Sequence, residues 1–132
     1  MRFVDTNVFI YVFVQSPKKD FEIASRILQR IEKGEKAVTS LAVIYEAVDW
    51  LEYNNLEKEV RNFLTAINSY LSLSKLSLEW DKFLPALKDK YEKQIDFVDA
   101  LNLLIMREKG ITEIYSHDKD FDRIDWVKRI WE

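Results

Sequence analysis

Phe21-Glu22-Ile23-Ala24-Ser25-Arg26-Ile27-Leu28-Gln29-Arg30-Ile31-Glu32-Lys33-Gly34-Glu35-Lys36-Ala37-Val38-Thr39 is the stretch that decides the fold class. Its apolar residues Phe21, Ile23, Ala24, Ile27, Leu28 and Ile31 recur at helical spacing. Gly34 then supplies the left-handed turn that closes a helix, and Lys36–Thr39 is a short β-type run. The same order returns later: a helical apolar pattern through Met106, then Gly110, then Thr112-Glu113-Ile114-Tyr115-Ser116. Helix, glycine and strand, twice in one short chain, predict α/β units with parallel strands. Outward from these anchors, strands are expected at Arg2–Asp5, Lys36–Thr39, Ser72–Leu76, Glu113–Ser116 and Trp126–Ile130. Helices are expected at Asn7–Gln15, Lys19–Lys33, Leu41–Tyr53, Leu56–Tyr70, Leu78–Lys93 and Phe97–Lys109.

The chain has 132 residues, a length that fits one domain, with no linker, repeat or low-complexity run to divide 1–132. It contains no cysteine and one histidine. Disulfide frameworks, zinc fingers, iron–sulfur sites, thiol nucleophiles and multi-histidine metal sites are therefore excluded. Chemistry has to rest on carboxylates, hydroxyls, amines or a bound metal. The formal net charge of −3 lacks the basic excess of most nucleic-acid binders, although local patches matter more than the sum. No stretch approaches the roughly 18 apolar residues of a membrane span. Met1-Arg2-Phe3-Val4 enters a core pattern at once, without signal-peptide anatomy, so a cytoplasmic protein is expected.

Most of the 23 acids fall among lysines on helices and read as solvated faces. Four others interrupt or end apolar runs. Asp5 stands where the strand Phe3-Val4 gives way to the helical Val8-Phe9-Ile10, outside the carboxyl end of a strand, where open parallel sheets bind ligands. Asp5, Thr6 or Asn7 could equally cap the next helix. Glu46 has Ala42, Val43, Ala47 and Trp50 as helical neighbours, so it lines a cleft unless it is an ordinary surface acid. Asp96 and Asp99 open the helix Phe97–Met106; Asp96 reads as its N-cap, and Asp99 fits a capping role less well. Asp118 follows the strand Ile114-Tyr115-Ser116 directly, as a cap or a site residue. Strand ends and helix starts of a parallel sheet converge on one edge, so Asp5, Asp99 and Asp118 can meet there and Glu46 can reach in. Four carboxylates at one spot repel and raise one another's pKa values, and a bound cation relieves them. Oxygen-only ligands select Mg²⁺ or Mn²⁺, which bind phosphates and activate water.

Phe3-Val4-Asp5-Thr6-Asn7, Ser40-Leu41…Glu46, Asp96-Phe97-Val98-Asp99-Ala100-Leu101 and Ser116-His117-Asp118-Lys119-Asp120-Phe121 resemble, in order and spacing, the PIN domain and within it the VapC-like toxin ribonucleases. The resemblance implies a three-layer α/β/α fold on a central parallel sheet of four or five strands. It implies a Mg²⁺- or Mn²⁺-dependent endoribonuclease acting on RNA. By position, the family's four acids are Asp5, Glu46, Asp99 and Asp118, and its small hydroxyl residue is Ser116. Asp5 and Asp99 are then the principal metal ligands. Many members pair with a small antitoxin; others are free-standing nucleases.

Lys18, Lys19, Arg107, Lys119 and Arg123 are candidates to flank the acids for RNA backbone contact, and Tyr11, Trp50 and Tyr53 are candidates to stack bases or pack in the core. His117 reads as a loop or rim residue. The uninterrupted apolar run Val8–Val14 would cover every side of a helix, which predicts a homodimer unless the helices in Leu41–Tyr70 cover it. Three rival readings stay open. One is a phosphatase with Asp5 as nucleophile, weakened because Asn7 stands where a second Asp is usual. The others are a non-catalytic RNA- or protein-binding module and a structural α/β protein with four caps.

Overall fold

A computed structural model describes all of residues 1–132. Five strands form one sheet: β1 (Arg2–Val4), β2 (Ala37–Ser40), β3 (Leu73–Leu76), β4 (Glu113–Tyr115) and β5 (Lys128–Ile130). Every pairing is parallel, and the order across the sheet is β3-β2-β1-β4-β5. Six helices flank it: α1 (Thr6–Val14), α2 (Lys18–Glu32), α3 (Leu41–Tyr53), α4 (Glu59–Ser69), α5 (Phe83–Lys93) and α6 (Phe97–Glu108). The expected α/β architecture on a parallel sheet is the one observed, with five strands. The chain winds outward from β1 to β3 and then returns to the other side of β1. The strand order therefore reverses between β1 and β4, and a crevice opens where their carboxyl ends diverge.

Local sequence explains the elements. β2 is buried at all four residues, as a central parallel strand covered on both faces should be. α2 turns Ile23, Ala24, Ile27, Leu28 and Ile31 inward, the face read from the spacing. Gly34 and Gly110 hold φ of +117° and +69°, the left-handed conformation that each helix exit requires. Thirty-one buried apolar residues form one continuous core.

Three boundaries differ from the sequence reading by more than one residue. α4 starts at Glu59 rather than Leu56, because Asn55 turns left-handed (φ 60°) and the Leu56 N–H bonds back to the Leu51 carbonyl at 2.8 Å. That closure belongs to the end of α3. The helix expected from Leu78 begins as a 3₁₀ turn at Trp80–Lys82, and α5 proper starts at Phe83. Pro85 then falls in its first turn, where no N–H is needed. The last strand shortens to the three residues that pair with β4.

The apolar run Val8–Val14 is covered mostly within the chain. Val8 and Phe9 are buried. Phe63 of α4 packs edge-on against Phe9 and Phe13, with centroids 5.6 and 6.0 Å away. Tyr11 packs against His117 and Trp131. The run therefore finds its partners inside the fold and does not by itself require a second copy.

Phe63 pins α4 to α1, so Phe63→Ala should destabilise the fold by about 3–5 kcal/mol in chemical denaturation. A loss below about 1 kcal/mol would show that α1 is held by other contacts.

Candidate functional site

Asp5 is the first residue beyond β1. Its N–H still donates to the Tyr115 carbonyl (3.0 Å), so the backbone stays on the sheet while the side chain leaves it. The side chain is 3% exposed. Oδ1 accepts from the Thr6 N–H at 2.8 Å, and Oδ2 accepts from Ser116 Oγ at 2.6 Å and Asn7 Nδ2 at 3.2 Å. Asp5 thus caps α1 and also faces the crevice. Ser116, at the end of β4, uses its whole hydroxyl: it donates to Asp5 and accepts from Asn7 Nδ2 (3.2 Å) and the Asp118 N–H (3.0 Å). Asn7 Oδ1 accepts the His117 N–H at 3.1 Å. These bonds staple the two diverging strand ends together at the point of strand-order reversal.

α3 and α6 bring the other acids. Ser40 caps α3, its Oγ accepting from the Val43 N–H (3.2 Å) and donating to Asn102 Oδ1 on α6 (2.7 Å). That bond ties the start of the helix carrying Glu46 to the helix carrying Asp99. Asp118 caps a 3₁₀ turn at Lys119–Arg123 by accepting from the Asp120 N–H at 2.9 Å.

Asp5, Glu46, Asp99 and Asp118 line one open cavity of about 520 Å³. Asp96 lines it too, which corrects its reading as a side-chain cap: it occupies the N-cap position of α6 but makes no capping hydrogen bond. Ile10, Tyr11, Val14 and Trp50 form the apolar wall. No lysine or arginine lines the cavity. The carboxylates sit around its walls, and no three of them close into a finished ligand cluster.

Burial is the leading effect on their protonation. It drives the Asp99 carboxyl up to about 8, with further push from the charges of Asp5, Asp118, Glu46 and Asp96. Asp5 rises to about 6, again through burial first, with the Ser116 and Thr6 hydrogen bonds holding it back. Glu46 is also raised by burial, and the Thr6 hydroxyl counters part of the rise. That hydroxyl faces Glu46 yet makes no hydrogen bond of good geometry. The arrangement can accommodate a hard cation, whose charge would replace the missing cationic side chains.

The remaining candidates divide. Tyr11 and Trp50 reach the cavity, whereas Tyr53 is 86% exposed elsewhere. Arg123 donates to the Lys93 and Gln94 carbonyls, Arg107 lies over the Trp126 ring, and Lys18 pairs with Glu22. His117 is a half-exposed rim residue between Tyr11 and Trp131. The bridging role of Asn7 and the Ser40–Asn102 tie escaped the sequence reading. Their only signal was a polar residue within an apolar run.

Asp5 and Asp99 have folded-state values above the ordinary carboxylate value. Between about pH 4 and pH 8 the folded chain therefore binds more protons than the unfolded one, and stability falls as pH rises. Without divalent cations, Tm should be lower near pH 8.5 than near pH 5, and Asp99→Asn should remove about 2–4 kcal/mol of that fall. Equal pH profiles for wild type and variant would contradict the burial of Asp99. Asp96→Ala should change stability by less than about 0.5 kcal/mol, since no hydrogen bond is lost. A loss near 1 kcal/mol in denaturant titration would restore the capping role.

The sequence matches the PIN domain family over residues 2–127. No curated protein matches it at the level of sequence. Among solved structures, Mycobacterium tuberculosis VapC20, described as a sarcin-ricin loop cleaving toxin, is 23% identical with a TM-score of 0.77, covering 92% of this chain and 93% of that one. A toxin–antitoxin complex from Klebsiella pneumoniae is 18% identical with a TM-score of 0.67 over 97% and 96% of the two chains. VapBC2 from Rickettsia felis, bound to a DNA fragment from its promoter, is 14% identical with a TM-score of 0.71 over 99% and 98%. These likenesses share the fold, and with the family match across nearly the whole sequence they place the chain in the PIN domain family.

Proposed function

We propose that this chain is a divalent-metal-dependent endoribonuclease, the toxin of a toxin–antitoxin pair, with Asp5, Glu46, Asp99 and Asp118 holding Mg²⁺ or Mn²⁺. The observation that carries this reading is the cavity itself: these acids and Asp96 share it with no cationic side chain in its lining. An all-oxygen donor set fits a hard ion. When bound, the ion supplies positive charge against phosphate oxygens and lowers the pKa of a bound water.

The residues have separable tasks. Asp5 is held rigidly by three donors and presents a fixed carboxylate at the centre of the site. Asp99 faces it from α6 and gives up its proton as the site fills. Glu46 and Asp118 orient the attacking water and accept its proton at a carboxylate oxygen. Water adds at phosphorus, the bond to one ribose oxygen breaks, and that oxygen leaves with a proton taken from solvent water, while the proton on the carboxylate returns to solvent. Tyr11 and Trp50 offer aromatic surface to a base beside the scissile phosphate. The description of VapC20 as a sarcin-ricin loop cleaving toxin supports RNA as substrate, and the Klebsiella pneumoniae toxin–antitoxin complex supports an antitoxin partner. A free-standing nuclease of the same family would use the same site.

For a homodimer or an antitoxin, the available apolar surface lies along α5 rather than α1. Leu84 and Tyr91 there are 76 and 71% exposed, and Trp80, in the 3₁₀ turn just before it, is 80% exposed. Light scattering should show a dimer at micromolar concentration; a monomer would remove self-association from the proposal.

RNA incubated with the protein and Mg²⁺ or Mn²⁺ should be cut, and EDTA should stop the cutting. Asp5→Asn and Asp99→Asn should each lower the rate more than the roughly 10–100-fold typical of losing an outer-shell partner. Equal cleavage with EDTA, or by Asp5→Asn, would overturn the proposal.

A further inference from the structure

Thr6 is the first residue of α1 and is 7% exposed. Its backbone N–H is taken by Asp5 Oδ1 at 2.8 Å. Its hydroxyl is buried without a hydrogen-bond partner. A helical threonine usually bonds to the carbonyl one turn back, but here that residue is Arg2, in β1 rather than in the helix. Around it, Asp5, Asn7 and Ser116 are occupied with one another. Buried polar groups without partners are uncommon, and a valine of the same shape would need none. Thr6 lines the cavity together with Glu46 and turns its hydroxyl toward that carboxylate.

We propose that Thr6 is a positioning residue whose hydroxyl aims the Glu46 carboxylate across the cavity toward a hydrated divalent cation. The inference rests on the metal-site reading above. Glu46 stands on a helix and has several rotatable bonds, whereas Thr6 is fixed by the α1 cap. The hydroxyl contributes a directed hydrogen bond from the start of α1 to the Glu46 carboxylate. As the site fills, a small rotation of Glu46 converts the imperfect contact into a full one.

The test is Mn²⁺ binding to the full chain, by calorimetry and by the Mn²⁺-induced rise in Tm. Thr6→Val should melt no lower than wild type without metal, because an unpartnered hydroxyl has been removed. It should bind Mn²⁺ roughly 10–100-fold more weakly. Thr6→Ser should restore wild-type affinity, and in a Glu46→Gln background Thr6→Val should have no further effect. A Thr6→Val protein with wild-type affinity would overturn the inference while leaving the metal site intact. So would the same loss in the Glu46→Gln background, since Thr6 would then act independently of Glu46. A wild type that does not respond to Mn²⁺ would overturn the metal reading and this inference with it.

Discussion

Two carboxylates, Asp5 and Asp99, are buried at the reversal of strand order with no cationic side chain in the cavity, and the rest of the site is arranged around that constraint. Burying an unpaired charge is costly, so such groups take up protons or acquire a counter-ion. The first outcome is visible in the values of about 6 and about 8. The second buried polar tier, Ser116, Asn102, Ser40 and Thr39, carries no charge and is hydrogen-bonded into place. It holds the backbone rigid where the acids themselves repel.

Topology places this constraint. β1 lies at the centre of the sheet, and its neighbour β4 ends in register with it, Val4 opposite Tyr115. Asp5 and Ser116 therefore emerge side by side without any loop having to search for the geometry. Ser40 does the equivalent for the helices: one hydroxyl caps α3 and reaches α6, which ties together the helices that carry Glu46 and Asp99 to the cavity. A site built on strand ends and helix starts is more rigid than one built on long loops.

Much of this was legible in the residues. Periodicity and two glycines exposed the parallel α/β fold, because burial on one helix face and an αL exit leave direct marks on sequence. The four acids stood out by interrupting apolar runs, and all four line the cavity. What stayed hidden depended on distance. Asp96 and Asp99 lie one helical turn apart, and only the fold shows that both reach the cavity. The apolar run of α1 suggested an external partner because sequence cannot show Phe63 arriving from α4. Asn7 read as no more than a possible cap and Asn102 as an ordinary polar residue, since their partners lie 109 and 62 positions away. Two of the basic candidates show the same effect: Arg107 lies over the Trp126 ring and Arg123 bonds to the Lys93 carbonyl.

The most direct measurement is the number of protons released when Mn²⁺ binds, from calorimetry in buffers of different ionisation enthalpy. A carboxyl held near 8 has to lose its proton to become a ligand. Binding should release about one proton near pH 6.5 and almost none near pH 9.5, and in Asp99→Asn the release near pH 6.5 should fall well below one. Mn²⁺ binding without proton release near pH 6.5, or no binding at all, would contradict a cation-deficient carboxylate site.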